Sequence, residues 1–284
     1  MTNIQQETTH ETEHTAPVEA WDAIAASYDE YVTSGESDLA TAGLRFAGLQ
    51  AGDTFLDVAA GAGGLSLPAA RLGAKVLATD WSPKMVERFT ARAAAEGVDA
   101  EGRVMDCHTL DLPDDCYDIT GSQFGVMLVP DQAQALREMI RVTKPGGRVL
   151  LIAYGDPADF EALHVFIGAV QAVVPEFEGP PEDEPMLEFQ VADPDILRQR
   201  LIDAGLKDVT VNTANQERLE LRSGQELWDW CLGSNPIPGM LVADLTDAQR
   251  ADVIQVLDGM VRERSGSGGP AVLTAPLNIG VGTK

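Results

Sequence analysis

A glycine-rich segment and a later aspartate are the residues whose types and spacing suggest chemistry. The segment DVAAGAGG, at positions 57–64, follows a short apolar run and precedes a helical pattern. Glycines at such a turn let the backbone approach a ligand closely. Asp80 ends the next apolar run, where a carboxylate can accept hydrogen bonds from both hydroxyls of a ribose. Together these features predict a site for an adenosine-containing ligand.

The spacing of the glycines leaves alternatives open. A tight turn with close helix–strand packing would also use glycines at this place. A dinucleotide site prefers three spaced glycines, and Gly61, Gly63 and Ser66 match that pattern only imperfectly. An NAD(P)-dependent oxidoreductase is therefore retained as an alternative.

The elements that must position these residues alternate between strand and helix. Gly52-Asp53 leads into the first strand, and Ser82-Pro83 is a good helix start, since Ser caps and Pro fits the first position. Strands separated by helices favour right-handed crossovers and a doubly wound parallel sheet, with ligands at the carboxyl ends of its strands. The predicted strands are 54–59, 75–79, 102–105, 117–122 and 148–154, and the predicted helices are 65–72, one from Ser82-Pro83, and 131–142.

The second half of the chain is less regular. A helix is predicted over 193–204 and strands over 207–221 and 271–281, with helices at 225–232 and 247–264 between those two strands. Helices and loops inserted at the edge of a sheet commonly cover a site. We therefore expect a substrate cap at about 160–190 and 222–265, without a separate second domain.

The expected organisation has four parts. Residues 1–16 are polar and lack periodicity, which predicts a disordered tail. Residues 17–50 have helical spacing, broken at Ser34-Gly35, and predict N-terminal cap helices. Residues 51–155 form the expected cofactor-binding core, and residues 156–284 complete the sheet and carry the cap.

Several segments resemble class I S-adenosylmethionine-dependent methyltransferases of the small-molecule branch. They are LDVAAGAG at 56–63, ATDWS at 78–82, MDC at 105–107, YDITGSQFG at 117–125, RVTKPGG at 141–147 and, near the start, AASYD at 25–29. The part around residues 124–125 is also similar to the quinone-biosynthesis C-methyltransferases. The resemblance implies an α/β fold: a Rossmann-like, mostly parallel seven-stranded sheet with helices on both faces. It also implies S-adenosyl-L-methionine as cofactor and S-adenosyl-L-homocysteine as product.

The resemblance assigns one group of residues to the methionine half of the cofactor. The backbone at Ala59, Gly61 and Gly63 would line this half, and Asp57 would reach its ammonium group directly or through water. Gln123 would contact the methionine moiety and the substrate. Ala59 departs from the family pattern, because many members carry Gly there.

A second group is assigned to the adenosine half and to the reacting sulfonium. Asp80 would bind the ribose hydroxyls, Trp81 would offer an apolar face to adenine, and Asp106 would accept from the adenine amino group near the Cys107 backbone. Tyr28 would close over the sulfonium. An ordinary turn carboxylate is the alternative for Asp106, and a packed helix aromatic is the alternative for Tyr28.

Methyl transfer from a sulfonium is an in-line displacement on an activated electrophile, so positioning and exclusion of water do most of the catalysis. A general base is needed only for a protonated nucleophile. His164, after the fifth strand, is the candidate base, with His108 second; a lone histidine is more often structural. No Cys/His spacing predicts a metal site, and the three cysteines are expected to be ordinary thiols.

Composition bears on the substrate. The chain has 20 Lys+Arg against 45 Asp+Glu and a net charge of −25, which disfavours nucleic acid and anionic membranes as partners. The loop 122–125 lacks the Asn/Asp-Pro-Pro-aromatic motif of enzymes that methylate base amines. We expect a small, partly apolar acceptor, with oxygen, nitrogen and carbon all open as the acceptor atom. A non-catalytic S-adenosylmethionine binder is a further alternative.

The sequence also bears on cellular location and oligomeric state. The chain has no apolar run of ~18 residues and no basic segment at its start, which predicts a cytoplasmic protein without a membrane span. The acidity fits either a salt-adapted surface or a genome that favours Arg codons, since only five of the basic residues are Lys. Monomer and homodimer are both left open.

Overall fold

The computed structural model describes residues 16–33, 35, 37–179, 186–266 and 268–284. Its strands are β1 (Thr54–Val58), β2 (Lys75–Asp80), β3 (Ala100–Val104), β4 (Tyr117–Gln123), β5 (Thr143–Tyr154), β6 (Lys207–Leu221) and β7 (Ala271–Thr283). Its α-helices are α1 (Val18–Tyr28), α2 (Ser37–Phe46), α3 (Ser66–Arg71), α4 (Pro83–Glu96), α5 (Gln132–Val142), α6 (Glu161–Val173), α7 (Pro194–Asp203), α8 (Gly224–Ser234), α9 (Pro236–Leu241) and α10 (Asp247–Ser265). Residues 1–15 of the predicted tail (1–16) and Ser34 of the predicted break (Ser34-Gly35) lie outside the described residues, whereas Ala16 is described and buried.

The seven strands form one sheet in the order β3-β2-β1-β4-β5-β7-β6. Neighbours from β3 to β5 are parallel, while β7 runs antiparallel to both β5 and β6. The strand order reverses between β1 and β4, and such a switch point is where open α/β sheets bind ligands. The predicted doubly wound, mostly parallel sheet is confirmed.

The central strand β1 shows why these residues form a sheet core. Its side chains Phe55, Leu56 and Val58 are completely buried, as expected for a parallel strand covered by helices on both faces. The buried apolar cluster around it extends along the sheet to Ile279 on β7. The carboxyl end of β1 is thereby held rigidly at the switch point.

Strands β6 and β7 continue past the end of β5, the strand that pairs with β7 in the sheet. The pairing of β5 with β7 ends at Tyr154 and Leu277, but β6 and β7 continue together as far as Leu221 and Ala271. Helices α6, α8 and α10 pack with this extension around a second apolar cluster that includes Phe166. The extension therefore carries a cap beyond the carboxyl edge of the sheet.

Two local features differ from the sequence-based expectations. The strand predicted to begin at Arg148 begins at Thr143, because Gly146 and Gly147 exchange backbone hydrogen bonds with Lys284. Helix α9 was not predicted, because six residues containing two prolines and a glycine show no helical period. The other predicted elements agree to within about two residues, the usual uncertainty of helix and strand ends.

Candidate functional site

A cavity of about 410 Å³ lies at the carboxyl ends of the strands, beneath the cap. It runs from the glycine segment and Asp80 on one side to Tyr154 and Glu217 on the other. Most of its wall is apolar, and α1 contributes Trp21 and Tyr28. The cavity thus joins the predicted cofactor residues to an enclosed apolar chamber.

The glycine segment adopts the backbone conformation that its composition predicts. Gly61 and Gly63 have φ values of 53° and 99°, a region that glycine enters without steric cost. A Cβ at Gly63 would lie 2.4 Å from Cδ2 of Phe89, so this glycine is also required for packing. Ala59 has φ 54°, which is strained for a residue with a side chain. This strain at the position where the family often has Gly is a structural consequence of the departure.

Asp80 is buried at the end of β2 and binds the glycine segment directly. Its Oδ2 accepts from the Gly61 amide at 2.9 Å, and its Oδ1 accepts from the Ser82 amide at 2.9 Å. Burial raises its pKa to about 6. A carboxylate offers about four lone pairs, so two amide donors leave it the capacity to accept further hydroxyl donors.

Asp57 lies under the glycine segment rather than on the cavity wall. The Ser66 hydroxyl donates to its Oδ2 at 2.5 Å, while its buried Oδ1 has no hydrogen-bond partner among the described residues. Burial raises its pKa to about 7. An unsatisfied buried carboxylate oxygen beneath the loop suits a donor such as an ammonium group or a water bound to one.

The residues assigned to adenine line the same cavity. Trp81 is 44% exposed, and Asp106 accepts at Oδ1 from the backbone amide of His108 at 2.9 Å. Cys107 is buried, and burial raises its thiol pKa to about 12. All three residues line the cavity, as does His108.

Asp106, Cys107 and His108 also place their potential metal-ligand atoms within 4.8 Å of one another, although the sequence spacing predicts no metal site. Asp106 Oδ1 lies 2.7 Å from His108 Nδ1, so these two groups already bind each other.

Tyr28 and Gln123 border the middle of the cavity. The Tyr28 ring packs on the glycine segment, and a Cβ at Gly61 would lie 3.1 Å from its Cε1 atom. Gln123 is buried at the end of β4, next to Phe124. Both residues line the cavity between the glycine segment and the cap.

His164 is not one of the described residues that line the cavity. Its ring is exposed, and Nε2 lies 2.9 Å from the carbonyl oxygen of Pro157 and 3.1 Å from that of Ala158. A nitrogen that donates to carbonyl oxygens carries a proton and is not free to accept one. The structure therefore places the predicted base in a structural hydrogen bond at the start of α6.

Two carboxyl groups in the cap half of the cavity were missed by the sequence analysis. Glu188 is 6% exposed, and Glu217 accepts at Oε2 from the Tyr154 hydroxyl at 3.2 Å. Burial raises the pKa of both groups, that of Glu217 to about 7. A signal existed for Glu217, which shares the inward-facing alternation of β6 with Leu219 and Leu221. No comparable pattern marks Glu188, which lies in the short 3-10 helix Leu187–Phe189.

In the described part of the chain, no helix is long and apolar enough to cross a membrane.

Part of the chain is similar to known proteins. A family model described as a methyltransferase domain matches residues 56–151. An uncharacterized protein of Mycobacterium bovis is 42% identical over 108 residues, covering 38% of this chain and 39% of that protein. The ubiquinone/menaquinone biosynthesis C-methyltransferase UbiE of Bdellovibrio bacteriovorus is 33% identical over 142 residues, covering 48% and 59%. The chain thus spans roughly half the length of the curated relatives it matches, or less.

A solved structure gives the same picture for the fold. A putative methyltransferase of Bacillus halodurans aligns with a TM-score of 0.55 at 16% identity, covering 86% of this chain and 98% of that one. The fold likeness covers 86% of the chain, whereas the matched domain spans β1 to β5. On these findings, residues 56–151 match a methyltransferase domain, and the chain shares the fold of that solved structure.

Proposed function

We propose that this chain binds S-adenosylmethionine and transfers its methyl group to a small, partly apolar acceptor held under the cap. The observation that carries the proposal is the single cavity that connects Asp80 and the glycine segment to the apolar chamber. The proposal includes no nucleic-acid partner, because the net charge is −25 and no Lys or Arg is among the described residues lining the cavity. A cytoplasmic location stays a prediction of the sequence.

In this proposal, the cofactor lies across the carboxyl ends of β1, β2 and β4. Asp80 accepts from the ribose hydroxyls, Trp81 and Asp106 hold the adenine, and Cys107 contributes its backbone. The methionine half lies along Ala59, Gly61 and Gly63, with the unpaired oxygen of Asp57 available to its ammonium group. Gln123 and Tyr28 border the methionine half, between it and the acceptor.

The bound cofactor supplies an activated methyl group, and the protein positions the two reactants and excludes water from them. The acceptor must approach along the line of the C–S bond, at ~3–3.5 Å from the methyl carbon. Helix α1 packs against both α4 of the core and α8 of the cap, so the Tyr28 ring can cover the reacting centre. The apolar wall under the cap excludes water from that centre.

The test is turnover by the purified chain with a radiolabelled methyl donor. Incubation with a panel of phenols, alcohols, amines and acidic carbon compounds should yield label in an organic product together with S-adenosylhomocysteine. Binding of S-adenosylhomocysteine without turnover of any acceptor would favour a non-catalytic binder. Tighter binding of NADPH than of S-adenosylhomocysteine would contradict the proposal and favour an oxidoreductase.

A further inference from the structure

Two carboxyl groups face the cap half of the cavity with little to neutralise them. Glu188 is 6% exposed, lines the cavity, and its Oε2 has no hydrogen-bond partner among the described residues. Glu217 accepts a hydrogen bond at Oε2 from the Tyr154 hydroxyl at 3.2 Å. Burying a carboxylate without a counter-charge is costly, and the raised pKa of each group reflects that cost.

The described cavity wall contains no cation to offset these acids. Its charged groups are Asp80, Asp106, Glu188 and Glu217, and its one basic side chain is His108, which is paired with Asp106. The segment 180–185, which precedes Glu188, contains no Lys or Arg in its sequence. A cationic ligand would supply the positive charge that the described wall lacks.

Aromatic rings surround the same part of the cavity. Phe124 and Tyr154 are stacked with ring centroids 4.6 Å apart, and Phe160 lies 4.7 Å from Tyr154 on the same measure. Phe189, the neighbour of Glu188, completes the group at 6.4 Å from Tyr154. Faces of aromatic rings attract cations, most strongly where water is excluded. The cluster of Phe124, Tyr154, Phe160 and Phe189 is called here the aromatic cluster.

We propose that the acceptor under the cap is an amphipathic amine, whose ammonium group binds at the acidic wall that carries Glu188 and Glu217, beside the aromatic cluster, and whose apolar body fills the remaining chamber. The inference rests on the proposed function, since it names the substrate class of that site. Anionic acceptors are disfavoured, because they would face two acidic groups. A neutral acceptor would leave the charge of these groups without a counter-charge from the described wall.

The test compares three small probes with similar apolar bodies: 2-phenylethylamine, 2-phenylethanol and 3-phenylpropanoate. Each is titrated calorimetrically into protein saturated with S-adenosylhomocysteine, so that the cofactor half is filled. The amine should bind about tenfold more tightly than the alcohol, and the carboxylate should bind most weakly. Glu188→Gln and Glu217→Gln should each reduce amine affinity severalfold and leave alcohol affinity unchanged.

The matched control is Glu220→Gln, which removes the same charge from an exposed position on the same strand. It should leave the preference for the amine intact. Equal binding of amine and alcohol, tighter binding of the carboxylate, or no amine binding to the saturated protein would each overturn the inference. Failure of S-adenosylhomocysteine to bind in the first step would instead contradict the proposed function, so the two failures are distinguishable.

Discussion

Asp57 combines a cost in stability with a proposed role in cofactor binding. Its carboxyl is buried with one oxygen unpaired, and burial raises its pKa from 3.8 to about 7. Between these two values the folded chain holds a proton that the unfolded chain has released. Rising pH in that window therefore destabilises the folded state, by about 1.4 kcal/mol per pH unit for one such group.

Asp57→Asn should relieve this penalty. The variant should gain stability relative to the wild type as pH rises from 5 to 8, by about 2–3 kcal/mol at most, because the amide does not ionise. Urea unfolding of both proteins at the two pH values measures this difference. S-adenosylhomocysteine affinity should fall in the variant. A stability difference that is the same at both pH values would show that Asp57 is not the titrating group.

Backbone pattern and residue type together indicated where site residues lie in the fold, while the roles assigned to them stay predictions. The glycine segment and Asp80 lie together on the cavity because a strand-to-helix turn and a neighbouring strand end must meet at the sheet edge. His164 was chosen for its residue type alone, and its ring binds backbone carbonyl oxygens instead. The position of Glu217 beside the cavity depends on the part of β6 that continues past the other strands, which local sequence does not encode.

At the scale of elements, the start of α4 links the cofactor site to the N-terminal helix. The Ser82 hydroxyl accepts from the Met85 amide at 3.1 Å and donates to Oδ1 of Asp22 on α1 at 2.5 Å. The Ser82 amide in turn donates to Asp80. One residue thus caps α4, holds α1 and orients the proposed ribose-binding carboxylate.

Ser82→Ala should cost about 1–2 kcal/mol of unfolding free energy, the usual cost of losing an N-cap, and should also weaken S-adenosylhomocysteine binding. The control is Asp193→Ala, which removes the N-cap of α7, whose side chain accepts from the Asp195 amide at 2.8 Å. Asp193 does not line the cavity, so this variant should lose similar stability without losing affinity. Equal losses of affinity in both variants would contradict the proposed link.

Elements with strong periodicity were predictable, and β6 has the predicted bounds, Lys207–Leu221. The start of β5 at Thr143 was not predictable from the local sequence, because it depends on pairing with residues about 140 positions away in the sequence. We expected the cap as inserted helices. The sequence does not show that these helices pack on the ends of β6 and β7, because this depends on the long-range register between the two strands.

For the molecule as a whole, the net charge of −25 opposes compaction through self-repulsion. The ion pairs of the described surface are mostly exposed, such as Lys84 with Glu87 and Arg103 with Glu101, and contribute little. Repulsion among the excess acids should therefore dominate the response to salt.

Raising NaCl from about 0.02 M to about 0.3 M should increase the urea midpoint of unfolding, because the screening length falls severalfold over this range. The same experiment with sucrose in place of salt controls for general solvent effects. A midpoint that falls with salt would show that the surface ion pairs outweigh the repulsion.

The measurement that tests the central claim most directly is calorimetric titration of the purified chain with S-adenosylhomocysteine and, separately, with NADPH. The wild type should bind S-adenosylhomocysteine and not NADPH, and Asp80→Asn should weaken that binding at least about tenfold through loss of a charge-assisted hydrogen bond. Asp118→Asn is the matched control, since Asp118 binds the Thr54 amide where β1 begins, at the opposite edge of the sheet. Undiminished binding by Asp80→Asn, or a preference for NADPH, would contradict the account.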